Sequence, residues 1–298
     1  MNTRKLKQLV NHNGLEILEE TIKINESGVD FQVAHAKDRN GDKWILRVPR
    51  RSESMRHAVQ EKKALDIIHS HANFQVPNWT IFSADLIAYK QLKGVPAATI
   101  DVEKQDYVWS FDNTNVPPEY DCSLGIVLAN LHSLPHHVFK QSGVSINDAS
   151  EVRVSMKQRM ERVKEQYEVN SHLWDRWQAW LAEDSLWPTH VGVKHGDLHP
   201  GHTLIDQSNH VTGIIDWTEV GIADVSVDFM SHYLLFGKDG LKKLIDAYDN
   251  AGGRTWSRMD EHVIELLTTS GITVAEYAQV SGLKEMHETA AHMLASEE

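Results

Sequence analysis

The chain has 298 residues, enough for two domains or one large two-lobed unit with a real core, so a mini-protein dependent on staples is excluded. Thirty Lys and Arg stand against 42 Asp and Glu, and the net charge of −12 disfavours a nucleic-acid backbone as partner while suiting cationic small molecules. The one cysteine, Cys122, closes no internal disulfide. The opening MNTRKLKQLV lacks an apolar signal core, and no run approaches the roughly 18 apolar residues of a membrane span. A cytoplasmic chain with no membrane segment is expected.

In chain order, Leu6, Leu9 and Val10 mark one face of a short opening helix. Phe31 to Lys37 and Lys43 to Val48 flank Asp38-Arg39-Asn40-Gly41-Asp42, where Asn-Gly signals a tight hairpin between two antiparallel strands. Ser52 to Ser70 carries Ala58, Ala64, Leu65 and Ile68 at helical spacing, and Trp79 to Phe82 and Leu86 to Tyr89 return to strand character. After Lys93-Gly94-Val95-Pro96 the texture becomes mostly helical, which places a lobe boundary between 1–93 and 94–298. Helical faces follow at Leu124, Val127, Leu128 and Leu131, then at Met156, Met160, Val163 and Tyr167. The stripe of Trp174, Trp177 and Leu181 reads as core. Val191 to Lys194, Thr203 to Asp206 and Gly213 to Ile215 interrupt the helices with short β-prone runs, and helix resumes at Asp224.

The loops of that interruption hold His195-Gly196-Asp197-Leu198-His199-Pro200-Gly201-His202, followed by Asp216 at the end of an apolar strand. Phosphoryl transfer needs a carboxylate to take the proton of the attacking hydroxyl, a neighbour that helps hold a metal, and a second carboxylate on that metal. Asp197, His202 and Asp216 fit those roles in that order. Protein kinases carry Asn five residues after the base, and here His202 holds that place; imidazole is a softer Mg²⁺ ligand, so it binds the metal, steadies a phosphate oxygen or acts through water. A cation on the third strand and a Glu on the next helix complete such a site. Arg47 faces away from Trp44, Leu46 and Val48, and Glu61 lies within the buried stripe, where an acid needs a partner. Asn25-Glu26-Ser27-Gly28 occupies the place of a phosphate-covering loop, in which Ser27 and Gly28 either meet a phosphate or form a plain turn. Asp224 reads as stabilising a helix N-terminus, Asp228 as a hydrogen-bond partner of the catalytic loop, His195 as its orienter and His199 as loop-shaping.

With these residues assembled, the sequence resembles the aminoglycoside phosphotransferase branch of the kinase-like fold, and within it the bacterial macrolide 2′-phosphotransferases. The matching blocks are DKWILRVPRR, VKHGDLHPGHTLID, VTGIIDWTEV, WQAWLAEDSLWP and AGGRTWSRM. The resemblance implies a bilobal α+β fold, with a small antiparallel sheet lobe and a larger helical lobe, and a cleft near residue 93. It implies transfer of the γ-phosphate of Mg²⁺-bound GTP, with ATP as the alternative donor, to the 2′-hydroxyl of a macrolide amino sugar, conferring resistance. Asp197 carries over as base and neighbour of the drug's cationic group, His202 and Asp216 as metal or phosphate ligands, and Arg47 with Glu61 as the phosphate-orienting pair. Tyr89, Gln91 and Leu92 would receive the nucleotide base, and Trp217, Phe229, Met230 and Tyr233 would wall the drug site. A monomer is expected.

Three readings compete. An aminoglycoside or another amino-containing molecule is the nearest substitute substrate, though a polycation would need several converging carboxylates. A non-haem Fe(II) oxygenase would use His195 and Asp197 with His232 or His262, and would need a jelly roll around them. A catalytically dead binding module is disfavoured by the presence of both Asp197 and Asp216.

Overall fold

The computed structural model describes residues 1–26, 30–101, 106–140 and 142–296, with backbone alone at 52 and 53. Contacts group the chain into two compact units, neither a single stretch of sequence. The first comprises Met1–Tyr120, Leu134–Val144 and Pro200–Val220, and the second Asp121–Ser133, Ser145–His199 and Gly221–Glu298. The N-terminal part is an antiparallel sheet and the C-terminal part is mainly helical, which is the kinase-like α+β architecture.

In the first unit, helix α1 (Thr3–His12) precedes strands β1 (Ile17–Asn25), β2 (Phe31–Asp38) and β3 (Lys43–Pro49). Helix α2 (Ser52–His71) and strands β4 (Trp79–Phe82) and β5 (Ile87–Lys90) complete a five-stranded sheet of order β1-β2-β3-β5-β4. Because side chains alternate along a strand, each face has its own composition. Ala34, Ala36, Trp44, Leu46, Val48 and Ala88 share one face and form a core with Leu6 and Val10 of α1. Val33 pairs with Arg47, His35 with Ile45 and Ile45 with Tyr89, so these five side chains share the opposite face. The β2–β3 turn is fixed by the Asp38 carboxylate, which accepts from the amides of Asn40 and Asp42 at 2.8 and 2.9 Å.

Strand β1 has no clean period-2 pattern because its register with β2 shifts between Leu18 and Lys23. Its inward residues therefore fall out of alternation. Another departure from the helical reading after residue 93 is a hairpin of Ala98–Asp101 with Asp106–Trp109. The strands Thr203–Ile205 and Val211–Ile214 form a hairpin that adds Val95–Pro96 as a third strand, with Leu204 opposite Pro96. Gly94 makes that approach possible: its φ is +103°, and a Cβ there would lie 2.7 Å from the Ile205 carbonyl oxygen.

The second unit is built on helices. Met156, Met160 and Val163 of Ala149–Gln166 meet Trp177, Trp180 and Leu181 of Ser171–Ala182, and Ile272, Ala290 and Leu294 close the cluster. The tryptophan stripe is core. Gly192–Lys194 pairs antiparallel with Gly221–Ala223, and a short 3-10 helix, Val225–Phe229, leads into the helix Met230–Asn250, which breaks at Gly237. Among the described residues no helix is long and apolar enough to cross a membrane.

Candidate active site

A cavity of about 540 Å³ lies in the first unit, against the face of the sheet that carries Val33, Ile45, Arg47 and Tyr89. Ile45, Leu204 and Ile215 supply apolar lining, Tyr89 comes from β5 and Gln91 and Leu92 from the segment after it, and Arg47, His202 and Asp216 are the charged and ligating groups. The segment after β5 is tied down by Gln75. Its side chain bonds both the amide of Lys93, at 3.0 Å, and the Lys93 carbonyl, at 3.2 Å, and its own amide donates to Thr212 O at 2.9 Å.

Arg47 is held on several sides. Nη1 and Nη2 donate to Oε1 and Oε2 of Glu61 at 2.9 and 3.3 Å, and the guanidinium lies 4.4 Å from the Phe31 ring centre and 5.2 Å from that of Trp79. Both partners of the pair are largely buried, with side-chain exposures of 11% and 4%. The fork and the aromatic faces are interactions that a lysine ammonium would not reproduce. Burial pushes the Glu61 carboxyl above its ordinary range, against the pull of Arg47, and the amide of Trp217 also donates to it. Glu61 is thereby joined to the residue that follows Asp216.

Asp216 sits at φ +64°, a left-handed conformation that Asp tolerates better than most residues but still strains. The turn is locked by its neighbours: the Trp217 indole N–H donates to Ile214 O at 3.1 Å, and the ring stacks on Phe74. His202 O accepts from the Ile215 amide at 3.0 Å, which brings His202 Nε2 to 3.5 Å from Asp216 Oδ2. A carboxylate and an imidazole on one cavity wall are a donor pair that suits a divalent cation completed by phosphate and water oxygens.

In the second unit, Asp197 is exposed on a loop shaped from below. Asp228 is fully buried, its Oδ2 accepts from His195 N and its Oδ1 from Gly196 N, both at 2.7 Å. The Asp197 amide in turn donates to His195 Nδ1 at 3.3 Å. His132 Nε2 lies 3.1 Å from Asp228 Oδ2, and its Nδ1 lies 3.1 Å from the Tyr248 hydroxyl. Burial raises the Asp228 carboxyl, but the hydrogen bond and electrostatic attraction of His132, the attraction of His195 and the Gly196 amide together outweigh it and hold the group below the usual Asp range. Asp224 caps the 3-10 helix by accepting from Ser226 N at 2.9 Å, and its Oδ2 meets His262 Nε2 at 2.7 Å. His199 is half-buried.

Two of the drug-wall residues need correction. Trp217 and Phe229 are fully buried; the first fixes the Asp216 turn and the second packs on His132 and Tyr248, so neither presents a surface to a ligand. Met230 is half-buried and packs against the helical core, and Tyr233 is half-buried. Ser27 and Gly28 lie outside the described residues. The iron reading fails on fold and partners: His232 pairs with Asp121 at 3.3 Å, His262 with Asp224, and helices rather than a jelly roll follow residue 224. Phe31, Trp79, Gln75, His132 and Tyr248 had not been singled out by the sequence reading; for the two aromatics near Arg47 the strand register was the available signal.

The model of the Phosphotransferase enzyme family matches residues 21–262. The chain belongs to that family. In fold this phosphotransferase matches the macrolide 2′-phosphotransferase MphH of Brachybacterium faecium at a TM-score of 0.92, with 33% identity over 99% of each chain. A macrolide 2′-phosphotransferase type I follows at 0.90, with 34% identity over 99% of this chain and 97% of that one. An aminoglycoside 2′-phosphotransferase-IIIa, at 0.76 and 16% identity over 99% and 97%, shares the fold. Among sequences, the uncharacterized protein YcbJ of Bacillus subtilis (strain 168) is 39% identical over 270 residues, 91% of this phosphotransferase and 88% of YcbJ.

Proposed function

We propose that this phosphotransferase moves the γ-phosphoryl group of GTP, with ATP as the alternative donor, to the 2′-hydroxyl of a macrolide amino sugar and so confers resistance. The observation that carries the reading is the full-length likeness to two macrolide 2′-phosphotransferases, at about twice the identity shared with the aminoglycoside enzyme. The nucleotide base is read against Ile45, Leu204 and Ile215, with Tyr89, Gln91 and Leu92 along its edge. Arg47, held by Glu61, binds the phosphates with its remaining N–H groups. Asp216 and His202 would hold Mg²⁺, which when bound neutralises charge on the phosphate oxygens. Asp197 accepts the proton of the 2′-hydroxyl as the oxygen forms its bond to phosphorus and the bond to the leaving diphosphate breaks.

The test is direct. The purified protein is incubated with Mg²⁺, GTP or ATP, and a panel of macrolides and aminoglycosides, and products are read by mass spectrometry. A macrolide that gains one phosphoryl group is the expected result. Phosphorylation of aminoglycosides alone, or of nothing in the panel, overturns the reading.

A further inference from the structure

The block AGGRTWSRM, which the site above leaves unused, begins beside Tyr248. Gly253 lies against the face of the tyrosine ring so closely that a Cβ at 253 would fall 2.4 to 2.5 Å from three of its carbons. The hydroxyl of that ring reaches His132 Nδ1 at 3.1 Å, and the opposite nitrogen of the same imidazole reaches Asp228 Oδ2, also at 3.1 Å. His132, Asp228 and Tyr248 are all buried. An ionised carboxylate only accepts hydrogen bonds, so the form of His132 that bonds Asp228 is the one with the proton on Nε2. Nδ1 of a neutral ring then carries a lone pair, which needs a donor. The backbone N–H of Arg254 also bonds the phenol oxygen, which favours the phenol proton pointing at Nδ1.

We propose that Tyr248 is a positioning residue: by donating to Nδ1 it fixes neutral His132 as the Nε2–H tautomer, which keeps the Asp228 carboxylate aimed at the amides of His195 and Gly196. The donors therefore converge on Asp228: the Arg254 amide, Tyr248 and His132 in series from one side, and the amides of His195 and Gly196, on the loop that presents Asp197, from the other. A second aspartate–histidine pair at the same 3-10 helix gives the internal precedent. His262 Nε2 meets Asp224 Oδ2 at 2.7 Å, and its Nδ1 accepts at 3.3 Å from the indole N–H of Trp180, a group that can only donate. Each end of Val225–Phe229 is thus held by an aspartate whose imidazole partner faces a proton donor on its far side. At Trp180 that direction is chemically fixed, whereas a phenol can donate or accept, which is why the Arg254 amide matters.

The functional part of this inference rests on the phosphotransferase reading, and the experiment separates the two. In the intact protein at neutral pH, ¹⁵N chemical shifts of His132 should report the neutral Nε2–H form; an imidazolium or an Nδ1–H form overturns the proposal. Tyr248→Phe should release the tautomer and speed hydrogen exchange at the Gly196 amide at least tenfold. It should lower kcat by about tenfold, with KM for the nucleotide changed less than twofold. His132→Gln is the decisive background, since its amide nitrogen stands in for Nε2 and cannot tautomerise. In that background Tyr248→Phe should cost less than twofold. Equal losses in both backgrounds would mean that Tyr248 is only packing and would sink the idea. If Tyr248→Phe fails to fold, the wild-type ¹⁵N shifts still decide. If the wild type phosphorylates nothing, the shifts and the Gly196 exchange rate test the hydrogen-bond chain independently of the activity.

Discussion

Two buried carboxylates, Glu61 and Asp228, are accommodated by opposite means. Glu61 faces a full positive charge, the bidentate fork of Arg47, itself backed by two aromatic rings. Asp228 faces dipoles, two backbone amides at 2.7 Å and an imidazole at 3.1 Å. The consequence shows in their protonation: burial pushes Glu61 up despite its partner, while the donors around Asp228 outweigh burial and hold it down. An ion pair on a cavity wall positions a charge for a ligand, whereas a carboxylate filled by amides fixes the path of a backbone. One arrangement serves binding and the other serves shape.

The largest expected effect falls on the residue that the second arrangement presents. Asp197→Ala should lower turnover by about a thousandfold or more, within the range of a lost general base, while calorimetry gives an unchanged nucleotide Kd. Near wild-type phosphorylation by that variant would remove Asp197 from its role. Next come the two carboxylates themselves. Glu61→Ala strands a buried guanidinium and should cost about 3–5 kcal/mol in urea unfolding; Asp228→Ala strands three donors and should cost roughly 3 kcal/mol or more. The comparison is sharpened by ligand binding, because only Glu61→Ala should weaken nucleotide affinity. Equal weakening by both would erase the distinction between binding and shape.

The acid limb of stability gives a smaller effect with opposite signs. A carboxyl depressed in the fold lends stability that is complete above the unfolded Asp value of about 3.9 and is lost as pH falls through its lower folded value. Asp228→Asn should therefore flatten the stability profile below about pH 4. Glu61 is raised, so its contribution declines as pH climbs from about 4.3 toward its folded value, and Glu61→Gln should remove that decline. Denaturation midpoints measured from pH 3 to pH 6 would reverse the argument if both variants changed slope in the same direction. The smallest change in stability is expected at Asp216. Glycine accepts φ +64° without strain, so Asp216→Gly should alter stability by no more than about 1 kcal/mol while abolishing metal-dependent nucleotide binding. A large thermal destabilisation would show that Asp216 supports the turn as well as the ligand.

Much of this was legible in residue order, and what was not has identifiable causes. The β2–β3 hairpin followed from Asn40-Gly41 between alternating strands, and the juxtaposition of Arg47 with Glu61 from an acid inside an apolar helix stripe. Asp228 was legible as a partner of the loop from its inward place. Strand β1 escaped because its register shift breaks the alternation that a sequence reading depends on. His132 and Tyr248 escaped for another reason: their bonds to each other and to Asp228 join residues 116 and 96 positions apart, and no local pattern announces such a pairing. Trp217 and Phe229 show that an apolar side chain near a motif reads the same whether it walls a pocket or fills a core.

The cavity in the first unit has a biosynthetic consequence. Its walls come from the opening sheet, from Gly94 and Pro96, and from the hairpin that carries His202, Leu204, Ile215 and Asp216. A ribosome must therefore deliver the chain through Asp216 before the last wall exists, and a fragment ending at residue 120 would expose Ile45 and Tyr89 to water. Nascent chains should acquire protection of this sheet from proteolysis only after the hairpin has left the exit tunnel.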